Sequence, residues 1–291
     1  MEAFIKRGQK QCRQRGGAPQ SHEKCRAPLH DIFVKKFIMK YAIVVAYDGT
    51  NYRGWQTQKN GISVQSVLEK AAEETFGKRV NITASGRTDS GVHAAGQVCH
   101  FSADTAVPAE KIADALNFRL PADICVLRSA SAPEDFDSNR SAKKKTYCYR
   151  MYCARREHPL KSRYALAVYP RPDIALMQKG AALYCGEHDF KAYCASGSTA
   201  KTTVRTIFSA EVSTAFSRGS EDITFTVCGG GFLYNMVRTM AGTLLYLGQG
   251  RISLEDVRRS LDEGNRALVG KTMPAKGLTL ESVEYSPDPF A

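Results

Sequence analysis

Gly86-Arg87-Thr88-Asp89-Ser90-Gly91-Val92-His93-Ala94-Ala95-Gly96 is the stretch on which the reading of this chain turns. Three glycines punctuate it, an apolar run (Val80, Ile82) precedes it, and another (Val98, Phe101) follows. β-rich runs on either side of a glycine-studded stretch predict strand, loop, strand. Loops held by rigid strands commonly display reactive groups. Asp89 stands two positions from Arg87, and a guanidinium so close would favour the ionised carboxylate that a nucleophile requires. An isolated R-x-D is more simply a surface ion pair in a turn, and its surroundings decide between the two.

Moving outward, Met39 opens a strand over 40–47 that stops at the turn dipeptide Asp48-Gly49. From Ser63, the spacing of Val64, Val67, Leu68, Ala71, Ala72 and Phe76 predicts an amphipathic helix, with Ser63 as N-cap and Gly77 as its end. Pro108 starts a second helix through Ile112, Leu116 and Phe118. Strands are predicted near 124–131, 146–153, 204–212, 223–227 and 278–285, and helices near 173–183, 232–247 and after Ser253. The halves 39–140 and 141–291 have similar element content and suggest a duplicated α+β unit, without a recognisable sequence repeat. Hairpin-like spacing favours mostly antiparallel sheets backed by helices on one face.

The 291 residues are 43% hydrophobic and 24% charged, an ordinary globular composition. A net charge of +12 points to a polyanionic partner. Residues 1–38 hold nine Lys or Arg against three acids, so half of that excess sits in an N-terminal extension. This basic extension reads as a disordered arm or as an upstream stretch from a mis-assigned start codon. Met39, where the folded pattern begins, favours the second; its poverty in Ser and its acids Glu2 and Glu23 weigh against a transit peptide. The nine cysteines contain no C-x-x-C, and the histidines show no ligand spacing, which argues against a disulfide scaffold and a structural zinc site. No apolar run is long enough to span a bilayer, and a soluble, cytoplasmic protein is expected.

Other constellations share the chain. Tyr47-Asp48-Gly49-Thr50-Asn51-Tyr52-Arg53-Gly54-Trp55-Gln56 carries the single Trp, two Tyr and an Arg. Exposed, these would stack on unpaired bases and hold phosphates; equally, Trp55 could pack beneath a hairpin loop. Lys143-Lys144-Lys145 runs into Thr146-Tyr147-Cys148-Tyr149-Arg150, where strand periodicity sets Tyr147 and Tyr149 on one face with Lys145 beside them. Tyr147 could stack on a base or help move a proton, whereas Tyr149 reads as readily as core. Gly229-Gly230-Gly231 precedes Phe232-Leu233-Tyr234-Asn235-Met236-Val237-Arg238, a glycine run opening a helix whose N-terminus could bind phosphate. It is neither a P-loop nor a dinucleotide fingerprint. Arg238 flanks an apolar stripe, and since an isolated buried charge is costly, an acid of the glycine loop, Asp89 first, is its expected partner. Pro274-Ala275-Lys276-Gly277-Leu278-Thr279-Leu280 reads as a turn entering a strand.

Together these segments resemble the TruA family of tRNA pseudouridine synthases over roughly residues 41–285. The matching motifs are Y-D-G-T-x-Y-x-G-W-Q at 47–56, G-R-T-D-x-G-V-H-A at 86–94, Y-x-Y at 147–149, H-D-F at 188–190, G-x-F-L-x-x-M-V-R at 230–238 and G-L-x-L at 277–280. Ser90 stands where many members have Ala. The resemblance implies a pseudouridine synthase fold with a catalytic cleft between the two halves. It implies isomerisation of uridines 38, 39 and 40 in the tRNA anticodon stem-loop, by a homodimer that needs no cofactor and no metal. Asp89 would be the attacking carboxylate, whether at the ribose, at C6 of the base or through a glycal-like route. Arg87 would help displace the target base, Tyr147 would stack on it and assist proton removal from C5, Arg238 would pair with Asp89, and Leu278 would wall the base. Arg53, Trp55 and Lys145 are the further expected substrate contacts. The rivals are a non-catalytic RNA-binding protein of the same fold, a zinc-dependent deaminase, which would need H-x-E and C-x-x-C motifs that are missing, and an aspartate-dependent glycosylase.

Overall fold

Strict alternation builds the first strand: Tyr41, Ile43, Val45 and Tyr47 are buried on one face of β1 (Met39–Tyr47). In the computed structural model, residues 38–59 and 61–291 are described and belong to one unit; the basic extension, with the readings made for it, lies outside the described residues but for Ile38. The strands that follow are β2 (Thr83–Ala84), β3 (His93–Ala103), β4 (Ile124–Ser131), β5 (Ala142–Cys153), β6 (Leu166–Val168), β7 (Gly186–Asp189), β8 (Val204–Ser217), β9 (Ser220–Gly229) and β10 (Leu278–Tyr285). They form one ten-stranded sheet in the order β4-β1-β3-β10-β5-β9-β8-β7, with β2 on β3 and β6 on β5. All pairs are antiparallel except β3 with β10 and β5 with β6. The α+β class stands, and the two halves share a single continuous sheet.

The last strand performs that fusion. In β10, Leu280 lies opposite Ala94 of β3 on one side and Tyr147 of β5 on the other. Ala94 and Tyr147 are therefore separated by one intervening strand, about 10 Å at the usual strand spacing. Paired residues share a face, so Ala94, Leu278, Leu280, Tyr147, Tyr149, Phe225 and Val227 lie on the same side, and all are buried.

That side carries the helices α1 (Val64–Phe76), α2 (Ile112–Asn117), α3 (Ile174–Ala182), α4 (Met236–Gly248) and α5 (Leu254–Glu263). α1 has the expected limits because its ends are chemically marked. The Ser63 hydroxyl accepts from the Ser66 amide in a reciprocal capping box, and Gly77 closes the helix at φ 69°. Ser253 and Gly264 mark the ends of α5 in the same manner, whereas at α3 Asp173 simply accepts from the Leu176 amide.

Besides the short strands β6 and β7, which were not expected, three segments depart from expectation. The helix expected from 232 begins at Met236, because Asn235 takes the left-handed conformation (φ 61°). The glycine run therefore lies upstream of the helix rather than at its N-terminus, and the Gly230 amide is used by the Thr206 carbonyl. α2 ends at Asn117, leaving Phe118 exposed. β8 and β9 outrun their apolar cores as a hairpin closed at Arg218-Gly219, both at positive φ. No helix among the described residues is long and apolar enough to cross a membrane.

Candidate active site

Residues 85–92 form the loop before β3, and the segment that follows β1 holds it. The Tyr47 hydroxyl and Thr88 Oγ1 lie 2.8 Å apart in a buried hydrogen bond, and the Trp55 amide donates to the Thr88 carbonyl at 3.1 Å. The Gly91 amide and the Ser90 hydroxyl both donate to the Tyr52 carbonyl. The approach is so close that a Cβ at Gly49 would lie 1.9 Å from the Val92 carbonyl oxygen, and one at Gly54 (φ +79°) 2.6 Å from that of Thr88. Tyr52 and Trp55 are buried, with the Tyr52 hydroxyl donating to Asp123. The aromatic motif is thus the cradle of the loop. Trp55, expected to touch substrate, packs its ring 6.1 Å from that of Tyr47 and has no face free for a base.

At the turn of the loop, Asp89 Oδ2 accepts a 3.0 Å hydrogen bond from Arg238 Nη1, an ion pair across 149 residues of sequence. The two side chains are 22% and 17% exposed, so water reaches the pair without dominating it. Arg238 is gripped on two further sides: Nη1 donates to Asn235 Oδ1 at 2.7 Å, and Nε to the Met273 carbonyl at 2.7 Å. Among the described residues, Asp89 Oδ1 accepts no hydrogen bond. One carboxylate oxygen is therefore anchored, while the other has no hydrogen bond among the described residues.

Tyr147 stands at this site, its ring edge-to-face with Phe232 at 5.1 Å. Burial, and then the charge of Asp89, push its phenol well above the ordinary value. A phenol so perturbed keeps its proton at neutral pH. Leu278 is buried on the same sheet face. Tyr149 is core: it is fully buried, and its hydroxyl donates to the Pro274 carbonyl at 2.8 Å, pinning the turn that leads to Leu278.

Other expected contacts are not gathered here. Arg87 is exposed and, among the described residues, forms no hydrogen bond or ion pair with Asp89; adjacency in sequence did not become pairing in space. Arg53 is exposed too, its methylenes lying over Gly61. Lys145 is tethered: Nζ donates to the Ser85 carbonyl at 2.6 Å, and burial lowers the pKa of its ammonium. It braces the loop and is not a free cation for phosphate. His188-Asp189-Phe190 is structural, with Asp189 accepting from the Lys191 amide and Phe190 fully buried.

A second polar node lies at Asp48. Its carboxylate accepts from Arg163 Nε at 2.6 Å and the Tyr164 hydroxyl at 2.9 Å, bringing the β5–β6 connection to the N-terminal half. Burial raises the Asp48 pKa, but hydrogen bonds from Thr50, Arg163 and Tyr164 outweigh it and hold the carboxyl below the usual range. His93 Nδ1 lies 3.1 Å from Asp48 Oδ1 and accepts the Gly49 amide at 3.1 Å, so this contact is not an ion pair while the ring is neutral. Burial lowers its pKa and favours that neutral form. Sequence reading missed Asn235 and the Met273 carbonyl, which hold Arg238, and Thr88, which ties the loop to Tyr47 and Trp55. An Asn inside the helix expected from 232, where that residue is a poor helix former, is the only signal that could have flagged the first.

The fold and this site define a protein built to hold one carboxylate, paired with a distant arginine, beside a buried tyrosine. The family model described as tRNA pseudouridine synthase matches residues 43–139 and 181–286, and the chain belongs to that family. Its relatives include tRNA pseudouridine synthase A of Ruminiclostridium cellulolyticum, 42% identical over 246 residues that cover 84% of this chain and 99% of the relative. The proteins of the same name from Geotalea uraniireducens (42% identity, 84% of this chain, 98% of the relative) and Halalkalibacterium halodurans (41%, 82% and 90%) are similar over nearly the same span.

Proposed function

We propose that this protein converts uridine to pseudouridine in tRNA, at positions 38, 39 and 40 of the anticodon stem-loop, as a cytoplasmic homodimer. The names of its relatives support the reaction and the substrate; the family motifs support the positions and the dimer. The observation that carries the reading is Asp89, with one oxygen anchored by Arg238 and the other free, next to Tyr147. In the reaction the C1′–N1 bond breaks with Asp89 as the attacking carboxylate, the uracil turns, and a C1′–C5 bond forms. The proton lost from C5 is balanced by one gained at N1, so no redox partner is required. Tyr147 acts as a neutral stacking phenol, and Leu278 walls the base.

A base within a stem must first be extruded, at a cost of a few kcal/mol. Arg87 helps displace it and Arg53 holds phosphate; the exposure of both side chains supports these roles. The two halves, 39–140 and 141–291, supply Asp89 and Arg238 respectively. The test is purified protein with an unmodified tRNA transcript, no added cofactor and site-resolved detection of pseudouridine. Wild type should modify the anticodon arm, and Asp89→Asn should bind tRNA without forming product. Release of free uracil would instead mark a glycosylase, and wild-type turnover by Asp89→Asn would refute the assigned nucleophile.

A further inference from the structure

Asn235 breaks a local rule. Asparagine before a helix ordinarily turns its side chain onto an amide of the first turn, with its own backbone extended. Here it occupies the N-cap position of α4 in the left-handed conformation (φ 61°, ψ 5°) and makes no side-chain capping bond. Left-handed backbone is disfavoured for residues with a Cβ, and Asn is among the few that tolerate it. The amide oxygen freed from capping is used one turn along, where it accepts from Arg238 Nη1 at 2.7 Å. That nitrogen also donates to Asp89.

The remaining grip on Arg238 comes from Met273. Arg238 Nε donates to its carbonyl, and the Met273 amide returns a bond to the Arg238 carbonyl at 3.2 Å. With Nε and Nη1 both anchored, the plane of the guanidinium is defined. Without Asn235, Nη1 is held by the Asp89 carboxylate alone, so the guanidinium plane is no longer fixed independently of the group it is meant to orient.

We propose that Asn235 is a positioning residue: it fixes the plane of the Arg238 guanidinium and thereby the orientation of the Asp89 carboxylate. The proposal rests on the reaction argued above only for its rate effect. Its direct consequence, restricted motion of one guanidinium, is independent of activity.

The informative variant is Asn235→Gly, which removes the amide but retains access to left-handed backbone. Three measurements on the full chain decide the matter: single-turnover pseudouridine formation, tRNA affinity, and hydrogen exchange of the Arg238 Nε–H by NMR, assigned with Arg238→Lys. Loss of one charge-assisted hydrogen bond should slow turnover about tenfold. Affinity for tRNA should be unchanged, and the Nε–H should exchange faster while the backbone amide spectrum holds and the melting temperature falls only by the few degrees that one hydrogen bond is worth. Unchanged exchange at Arg238 overturns the proposal, as does slower turnover accompanied by a matching loss of melting temperature and an undisturbed guanidinium. If wild type forms no pseudouridine, the reading of function fails, while the exchange measurement still decides the role of Asn235.

Discussion

Replacing Arg238 by alanine removes the donor from three acceptors at once: Asp89 Oδ2, Asn235 Oδ1 and the Met273 carbonyl. Breaking a fully buried ion pair by deleting one partner costs about 3–5 kcal/mol, whereas exposed pairs contribute roughly 0–1 kcal/mol. Side-chain exposures of 17% and 22% place this pair between the limits, so Arg238→Ala should cost about 2 kcal/mol. For a protein of this size that lowers the melting temperature by about 4–8 °C. Calorimetry together with urea denaturation measures it. Much of the cost should come from the stranded Asp89 carboxylate, so the double variant Asp89→Asn/Arg238→Ala should be more stable than Arg238→Ala alone, by about 1 kcal/mol. The reasoning is refuted if Arg238→Ala lies within about 0.5 kcal/mol of wild type, or if the second substitution restores nothing.

Other outcomes test other parts of the structure. Gly49→Ala would drive a methyl against the Val92 carbonyl; a loss of about 3 kcal/mol or more is expected in urea denaturation, and a variant of wild-type stability would show that the loop is not clasped as described. His93 has a lowered folded-state pKa from burial, so its unfolded imidazole, with a pKa of about 6.5, takes up protons first as pH falls. Stability should therefore decline from about pH 7 towards pH 5 through His93, and His93→Gln should flatten that slope in urea midpoints. Asp48 works in a lower window: its depressed folded pKa gives stability that is complete above the ordinary carboxylate value and lost below it. Asp48 also raises the pKa of the adjacent His93, so the comparison is made in a His93→Gln background. There the stability gap between Asp48 and Asp48→Asn should be constant from pH 7 to 5 and close at more acid pH. In salt titrations of tRNA binding, Arg53→Ala and Arg87→Ala should each reduce the log–log slope by about one phosphate equivalent. Lys145→Met should leave it unchanged, because that ammonium is already bound to the Ser85 carbonyl.

Local chemistry is legible one residue at a time, and where it decided the outcome the sequence was sufficient. Ser63 and Gly77 end α1 because a hydroxyl cap and a left-handed glycine act within one turn of chain. β1 is readable because alternation is a property of neighbours, and Asp89 because glycines and a short motif mark its loop. Burial and partnership are not local. Arg87 and Arg238 are equally plausible partners for Asp89 on paper, but only the second, 149 residues away, is carried to it by the packing of α4 and the insertion of β10 between β3 and β5. The same packing buries Trp55 and ties Lys145 to the loop, turning two expected substrate contacts into supports. It also draws the Met273 carbonyl, without any signal of its own, onto the guanidinium. Sequence by itself determined most of the long strands and the capped helices, and it marked the loop that carries Asp89. Tertiary structure decided which charge meets it and which aromatic rings remain available, because both depend on elements distant in the chain being brought within a few ångströms of each other.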